Sequence, residues 1–501
     1  MSSSIHGALP SAIASLARSP TLQGRRCYVV GGFIRDRFLS RETNDIDMAV
    51  DDDALGIARR LASETGGTFV SLDEVNRIGR VVMPGNGHSW NLDCSSFSQD
   101  IESDLARRDF TIDAMAVELK QLAAVTGPWS QVASILIDPF RGEQDLAHRT
   151  LRAVSKRAFE DDPARLLRAL RLAAELDLTI EAETEDLLRG HSQLIAQVPG
   201  ERTREELLRL LRLPGAAGYL RQMDEAGLLL ALIPELAEAK GVEQPTVHFW
   251  DVFEHSLQSV ATLEFLMREN LWEHAKGEML TTAPWSADIA AHLSQEVSSG
   301  STRRALLKLA ALLHDVAKPA TKTMDPTGRA RFLGHAKQGA AMAASVLQRL
   351  RFSNKETGLV EKVVYHHLRP AQLTGGELPT QRAIYRYFRD TEDAGIDIVF
   401  FALADYMATR GPLADMDDWR AHCRLMNYIL QEHEKQQAKI APPSLLDGHQ
   451  VMEAFGLPPG PLVGELLAAV REAQAAAEIG SREEALALVQ RELDKRAAKQ
   501  R

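Results

Sequence analysis

One stretch limits the fold more than any other: residues 28–50, YVVGGFIRDRFLSRETNDIDMAV. A short apolar run breaks on Gly31 and Gly32, and Arg35 and Asp36 follow on an expected helix. Glycine lets the chain turn tightly and brings backbone N–H groups close to whatever lies above. Asp45 and Asp47 then stand two apart in a run that ends Met48-Ala49-Val50. In a strand such residues project from one face, so two carboxylates aim at one point. That arrangement suits a pair of Mg²⁺ ions that also take phosphate oxygens. A lone glycine pair is a turn, and a lone Asp-x-Asp is often a solvated loop. Both in one strand–turn–helix–strand unit favour metal-dependent nucleotidyl transfer.

The following residues extend the same unit. Ala54–Thr65 reads as an amphipathic helix, and β-like runs follow at 67–70, 77–83 and 90–97, with a turn at Pro84-Gly85-Asn86-Gly87. Strands interleaved with helices at this length predict a mixed α/β head. Next comes LARRDFTIDAM, with Arg108, Asp109 and Asp113. On its own this is a capped helix start with a solvated face.

The run GGxxRD followed by DxD resembles the head of class II tRNA nucleotidyltransferases and the related bacterial poly(A) polymerases. The resemblance implies a polymerase-β-like nucleotidyltransferase head, a small mixed sheet with helices, followed by an all-α remainder. It implies two Mg²⁺ ions on Asp45 and Asp47, with Asp93 completing a carboxylate triad. Gly31, Gly32, Arg35 and Arg108 would steady phosphates, and Asp109 would touch the sugar. RRDFTIDA matches the family's RRDFTINA except that Asp113 stands where Asn is usual. A carboxylate only accepts hydrogen bonds, whereas an amide also donates. A second departure is length: enzymes of the family that build a whole CCA end carry a flexible loop between the DxD strand and RRD. Residues 82–104 leave no room for it, which in the family goes with addition of two cytidines only.

In AFEDDPARLLRALRLAAEL, apolar residues at helical spacing carry arginines every third position. Pro163 suits a first turn, and Asp162 and Arg165 are then i,i+3 neighbours. They match the family's carboxylate–guanidinium pair that reads the incoming base. CTP and ATP both offer an amino donor beside a ring-nitrogen acceptor, which Asp162 and Arg165 would satisfy. UTP and GTP turn a carbonyl toward the carboxylate and leave the site's groups unpaired. Arg168 and Arg171 would add base and phosphate contacts.

Histidines and aspartates dominate the third quarter: His255, His314-Asp315, His335, His366-His367 and Asp405, each in a helical apolar context. A lone histidine on such a helix is more often a core residue than a ligand. The set resembles the HD phosphohydrolase superfamily, which implies His255, His314, Asp315 and Asp405 as primary ligands. His335 and His366 would serve a second metal, with His367 the alternative. Such ligands suit Mn, Fe, Ni or Zn. Residues 270–303 read as an insertion. The tail, with a break at Ala441-Pro442-Pro443 and then a PGP turn, resembles the family's tail, where Gly460 and Gly464 would approach an RNA phosphate.

The expected segments are 24–150 (head), 151–244 (neck), 245–415 (HD domain) and 416–501 (tail). Only Cys27, Cys94 and Cys423 occur, without paired spacing, so neither a disulfide framework nor a zinc knuckle is supported. No apolar run approaches the ~20 residues of a membrane span, and the first twenty residues lack a secretory pattern, so the expectation is cytoplasmic. A net charge of −11 argues against indiscriminate polyanion binding, but the neck carries a local basic run from Arg149 to Arg171. The expected partners are the tRNA acceptor arm, CTP and ATP, with no membrane; oligomeric state stays open. The rivals are a poly(A) polymerase and a metal phosphohydrolase with a vestigial head.

Overall fold

The computed structural model describes residues 11–499 apart from 75–76, 86–88, 128, 246, 299, 374–377, 439–443 and 477. The turn residues Asn86 and Gly87 and the break expected at 441–443 lie outside the described residues. Contacts gather the chain into two compact units: Met1–Val198 with Gln222–Leu232, and Pro199–Arg221 with Ile233–Arg501.

The first unit is built on a six-stranded sheet. Chain order runs β1 (Cys27–Val30), α1 (Gly32–Phe38), β2 (Asp45–Val50), α2 (Ala54–Thr65), β3 (Thr68–Asp73), β4 (Ile78–Pro84), β5 (Ser89–Ser96), α3 (Ile101–Leu105) and β6 (Ala116–Glu118). The spatial order is β3-β4-β5-β2-β1-β6. β2 is central, antiparallel to β1 and parallel to β5, so the sheet is mixed, as expected. Alternation along β2 explains its place: Ile46, Met48 and Val50 are fully buried, while Asp45 and Asp47 keep access to solvent. α2 has the bounds read from its periodicity and buries Ile57, Ala58 and Leu61. Gly66, in the left-handed conformation, ends it.

Two helices flank Pro163 in the neck, α4 (Ala158–Asp161) and α5 (Arg165–Leu176), so Asp162, expected on the helix with Arg165, lies outside it. Asp162 between them is extended, at φ −150°. A proline disfavours the α conformation in the residue before it, so Asp162 ends one helix and Pro163 turns the chain into the next. Leu166, Leu167, Leu170 and Leu172 of α5 are buried.

The second unit is mostly helical. Its body is formed by α6 (Val252–Leu266), α7 (Arg303–Leu313), α8 (His335–Arg349), α9 (Asn354–His366) and α10 (Gly395–Arg410). Tail helices Gly448–Phe455, Pro461–Ala475 and Arg482–Lys499 share a separate apolar cluster around Leu446, Val451, Leu466, Val470 and Val489. The remainder after the head is not purely α. Two-residue and three-residue strands pair at Thr150–Leu151 with Thr179–Ile180, Glu296–Ser298 with Ser301–Thr302, and Thr323–Met324 with Ala330–Arg331. These ladders are too short for alternation to mark them in sequence.

Candidate active site

The two carboxylates of β2 meet different surroundings. Asp45 is exposed, and one of its oxygens accepts from Asn91 Nδ2 at 2.9 Å. Asp47 is set deeper, with its Cα paired to that of Asp93 on β5. Burial pushes the Asp47 carboxyl up to about 6; Arg108 pulls it down, and Asp93 and Asp113 push it up again. Two same-face carboxylates, one of them raised by burial and like charge, form a donor set that fits a divalent cation.

Gly31 explains the approach of the other groups. Its φ is +65°, and a Cβ there would lie 2.7 Å from Arg108 Nη1 and 3.3 Å from Asp47 Oδ2. Its N–H donates to the Met115 carbonyl at 3.1 Å, within the protein. The glycine leaves room for Arg108 to sit beside Asp47. Arg108 Nη1 donates to the Asp113 carbonyl at 3.4 Å, and Nη2 pairs with Asp104 at 3.3 Å. The RRD turn hangs close to the sheet because only four residues separate β5 from α3.

Asp93 sits where expected, but both its oxygens are engaged. Arg80 on β4 donates from Nε and Nη2, each at 2.7 Å. Arg35, expected on phosphate, is buried at 8 % exposure between Asp36 (2.8 Å) and Asp113 (2.6 Å). Burial costs its charge, but these two carboxylates raise its pKa regardless. Arg171 is likewise only 4 % exposed and pairs with Glu175 at 2.5 Å. Both guanidiniums are thus engaged by carboxylates of the protein.

The remaining neck residues come together at the start of α5. Asp162 Oδ1 accepts from the Ala164 N–H at 3.2 Å, and Oδ2 lies 3.9 Å from Arg165 Nε. Arg165 Nη1 and Nη2 donate to the carbonyls of Ala158 (3.1 Å) and Arg107 (2.7 Å), which fixes the plane of its guanidinium. Arg168 Nε donates to Asp109 at 2.5 Å. Burial works against the Asp109 carboxylate, but Arg168, the Phe110 N–H and Arg165 hold its pKa below the usual value. Asp109 is thus tied to the neck helix, where a sugar contact was expected.

The second unit holds a separate cluster. His255 Nε2 lies 3.2 Å from His314 Nε2, 3.5 Å from Asp315 Oδ2 and 3.0 Å from Asp405 Oδ1. On the other side of Asp315, Oδ1 lies 3.4 Å from His335 Nε2 and 3.9 Å from His367 Nε2. Two candidate metal groups, His255-His314-Asp315 and Asp315-His335-His367, share the one carboxylate. The donor set also fits in its outer contacts. Nδ1 of His314, His335 and His367 lies 2.8, 2.6 and 2.7 Å from the carbonyls of Ala311, Phe332 and Val364. A carbonyl requires N–H there, which turns each Nε2 lone pair inward. Asp315 Oδ1 and His335 Nε2 are buried without a hydrogen-bond partner, as ligand atoms would be. Burial pushes His367 down to about 4, keeping it neutral for ligation.

His366 does not join this cluster; it is half-buried, with its ring 4.7 Å from Tyr365. It is the last residue of α9, and only His367, one step past the helix end, turns inward. Sequence reasoning also missed Lys318, whose Nζ lies 2.6 Å from Asp315 Oδ2. Its spacing of three from Asp315 was the available signal. Arg80 had none beyond its place on a strand beside an acidic one.

The chain matches three family models: a Poly A polymerase head domain over residues 27–152, a probable RNA and SrmB-binding site of polymerase A over 177–240, and an HD domain over 252–410. It is 35 % identical to the A-adding tRNA nucleotidyltransferase of Deinococcus radiodurans, covering 92 % of this chain and 94 % of that one. It is 34 % identical to the CC-adding tRNA nucleotidyltransferase of Geobacter sulfurreducens, covering 96 % and 94 %. Its fold is similar to that of a CCA-adding enzyme in apo form, with TM-score 0.62 and 20 % identity over 96 % of this chain and 93 % of that one. The Thermotoga maritima CCA-adding enzyme complexed with tRNA gives TM-score 0.56 at 20 % identity, over 98 % and 100 %. No helix among the described residues is long and apolar enough to cross a membrane. With head, RNA-binding and HD models in family order, and relatives matched along nearly their whole length, the chain belongs to the tRNA nucleotidyltransferase family.

Proposed function

We propose that this protein adds cytidines, and no adenosine, to the 3′ end of tRNA, using CTP without a nucleic-acid template. The observation that carries the reading is the four-residue connection from β5 to α3. It stands where enzymes that build the whole CCA end resemble one another in carrying a flexible loop. Sequence similarity does not choose, since an A-adding and a CC-adding relative match almost equally well.

Asp45 and Asp47 would hold Mg²⁺, which when bound lowers the pKa of the attacking 3′-hydroxyl and neutralises the triphosphate. Arg108, placed beside Asp47 by Gly31, takes triphosphate oxygens through a charge-assisted bond. Asp162 accepts from the cytosine amino group, and the fixed guanidinium of Arg165 lies against the ring edge. Uracil turns a carbonyl toward Asp162 and leaves it unpaired. The neck and tail grip the acceptor arm through phosphates and shape.

The test offers purified protein a tRNA lacking its last three nucleotides, and a second one ending in CC, with CTP, ATP or both. Two residues from CTP and no growth of the CC-ended tRNA on ATP support the reading. A third residue, or adenosine addition alone, overturns it. Growth of a generic RNA on ATP alone would mark a poly(A) polymerase.

A second reading applies to the other unit. The buried cluster around Asp315 supports a metal-dependent phosphohydrolase activity, on the same chain and independent of Asp45 and Asp47. Opening of a 2′,3′-cyclic phosphate to a monoester, or release of phosphate from a monoester, on adding Mn²⁺ or Ni²⁺ and lost in His314→Ala, is its test.

A further inference from the structure

Three arginines from three parts of the first unit meet at one residue, Asp113. Its Oδ1 accepts from Arg35 Nη1 at 2.6 Å, and its Oδ2 from Arg168 Nη2 at 3.4 Å. Its main-chain oxygen accepts from Arg108 Nη1 at 3.4 Å. Asp113 itself is 2 % exposed, at the end of the short 3₁₀ turn Thr111–Asp113. Arg35 comes from α1 beside the glycine turn, Arg108 from the RRD turn, and Arg168 from neck helix α5.

Asn, the family's usual residue here, could not make this junction. An amide has one acceptor oxygen, and its other terminal atom is a donor. One of the two guanidiniums would face N–H hydrogens in place of a carboxylate oxygen. Charge points the same way: Arg35 is buried, and a nearby Arg168 opposes its charged form. Asp113 places one negative charge between the two. The loser on exchange to Asn is Arg168, whose bond is the longer and whose side chain is the more open, at 36 % exposure against 9 % for Arg35.

We propose that Asp113 is a positioning residue for nucleotide specificity, fixing Arg168 through its carboxylate so that Arg168 forms a rigid wall of the cytidine site. Arg168 is held from two sides, by Asp109 at Nε and by Asp113 at Nη2. It stands one helical turn beyond Arg165. A side chain held in this way loses little freedom when the nucleotide arrives. The inference rests on the cytidine-addition reading and deepens it.

The test compares wild type, Asp113→Asn, Arg168→Ala and the double variant by steady-state kinetics of CMP addition, with UTP as competitor and CTP binding by calorimetry. Asp113→Asn is expected to raise KM for CTP by about tenfold with kcat within about threefold, and to lower the CTP-over-UTP preference. Arg168→Ala should do the same, and the double variant should be no worse than Arg168→Ala alone, as coupled residues require. A lower melting temperature with KM and CTP/UTP preference unchanged would assign Asp113 a merely structural role and overturn the proposal. Independent, additive effects of the two substitutions would overturn it as well. If wild type binds CTP but adds no cytidine to tRNA, the function reading fails on its own. The coupling is then read from the CTP affinities of the same four proteins, and wild type that binds no CTP sinks both.

Discussion

Arg80 and Asp93 face each other across β4 and β5, joined by two hydrogen bonds of 2.7 Å, one strand away from Asp47. The pair occupies Asp93's carboxylate beside the proposed cation site. Removing the guanidinium by Arg80→Ala leaves a third carboxylate next to Asp47. The Mg²⁺ concentration for half-maximal CMP addition should then fall by roughly threefold or more, by Coulomb attraction at short range. An unchanged or higher Mg²⁺ requirement would show that Arg80 serves the site in another way.

Asp45→Ala and Asp47→Ala should each reduce CMP addition by at least about a thousandfold, the scale of losing a charge-stabilising group in a transition state. Circular dichroism should stay that of the wild type. Undiminished addition in the double variant would remove the two β2 carboxylates from the chemistry.

Asp47 also makes a stability prediction. Its pKa is raised from 3.8 to about 6, chiefly by burial. A raised carboxyl pKa means that the folded state disfavours the charged form, so the cost is present at pH 7 and vanishes as pH falls through 6 toward 4. At 1.36 kcal/mol per pKa unit, Asp47→Asn should stabilise the metal-free first unit by up to about 3 kcal/mol at pH 7.5. Thermal unfolding in EDTA would show a higher midpoint for the variant, and the difference should shrink at pH 5.

In the second unit, adjacent histidines separate two outcomes. His367→Ala should lower the metal retained after reconstitution with Mn²⁺ or Ni²⁺, measured by elemental analysis, whereas His366→Ala should leave it unchanged. The reverse would mean that the cluster around Asp315 forms with the other ring.

Glu356 is 0 % exposed and accepts from Arg204 at 2.6 Å, tying the helix Gly200–Arg212 to α9 within one unit. Burial raises its pKa, but Arg204 and the Ser301 and Ser353 hydroxyls overcome this and hold it low. The stabilisation is therefore complete above the unfolded carboxyl pKa and is lost as pH drops through the lowered folded value. Arg204→Ala should cost about 3–5 kcal/mol in urea unfolding at pH 7, since it strands a buried charge.

Much of the head was legible because its signals are local. The turn at Gly31, the alternation along β2 and the period of α2 each follow from a few neighbouring residues, and all three elements stand where they were read. The roles of arginines were not legible, because a guanidinium's partner is set by tertiary structure. Nothing near Arg35 in sequence says that Asp113 claims it, and Arg165 is claimed by main-chain carbonyls; Arg171 is the exception, since Glu175 lies four residues on along the same helix. The choice between His366 and His367 turned on where α9 ends, a boundary that periodicity places only to within a residue or two. Pro163 carried a usable signal, since the residue before a proline avoids helix, which puts Asp162 ahead of the helix and not on it with Arg165.

The brevity of the β5–α3 connection carries a consequence for how synthesis ends. Only four residues join the carboxylate-bearing sheet to the helix that leads into the arginine turn; on the proposed reading this leaves the pocket one shape from the first cycle to the next. On the proposed reading, a pocket that cannot be recast for a purine has no further reaction to offer once the growing terminus fills it. Stopping after the second cytidine then needs no counting device, only a chain too short to yield.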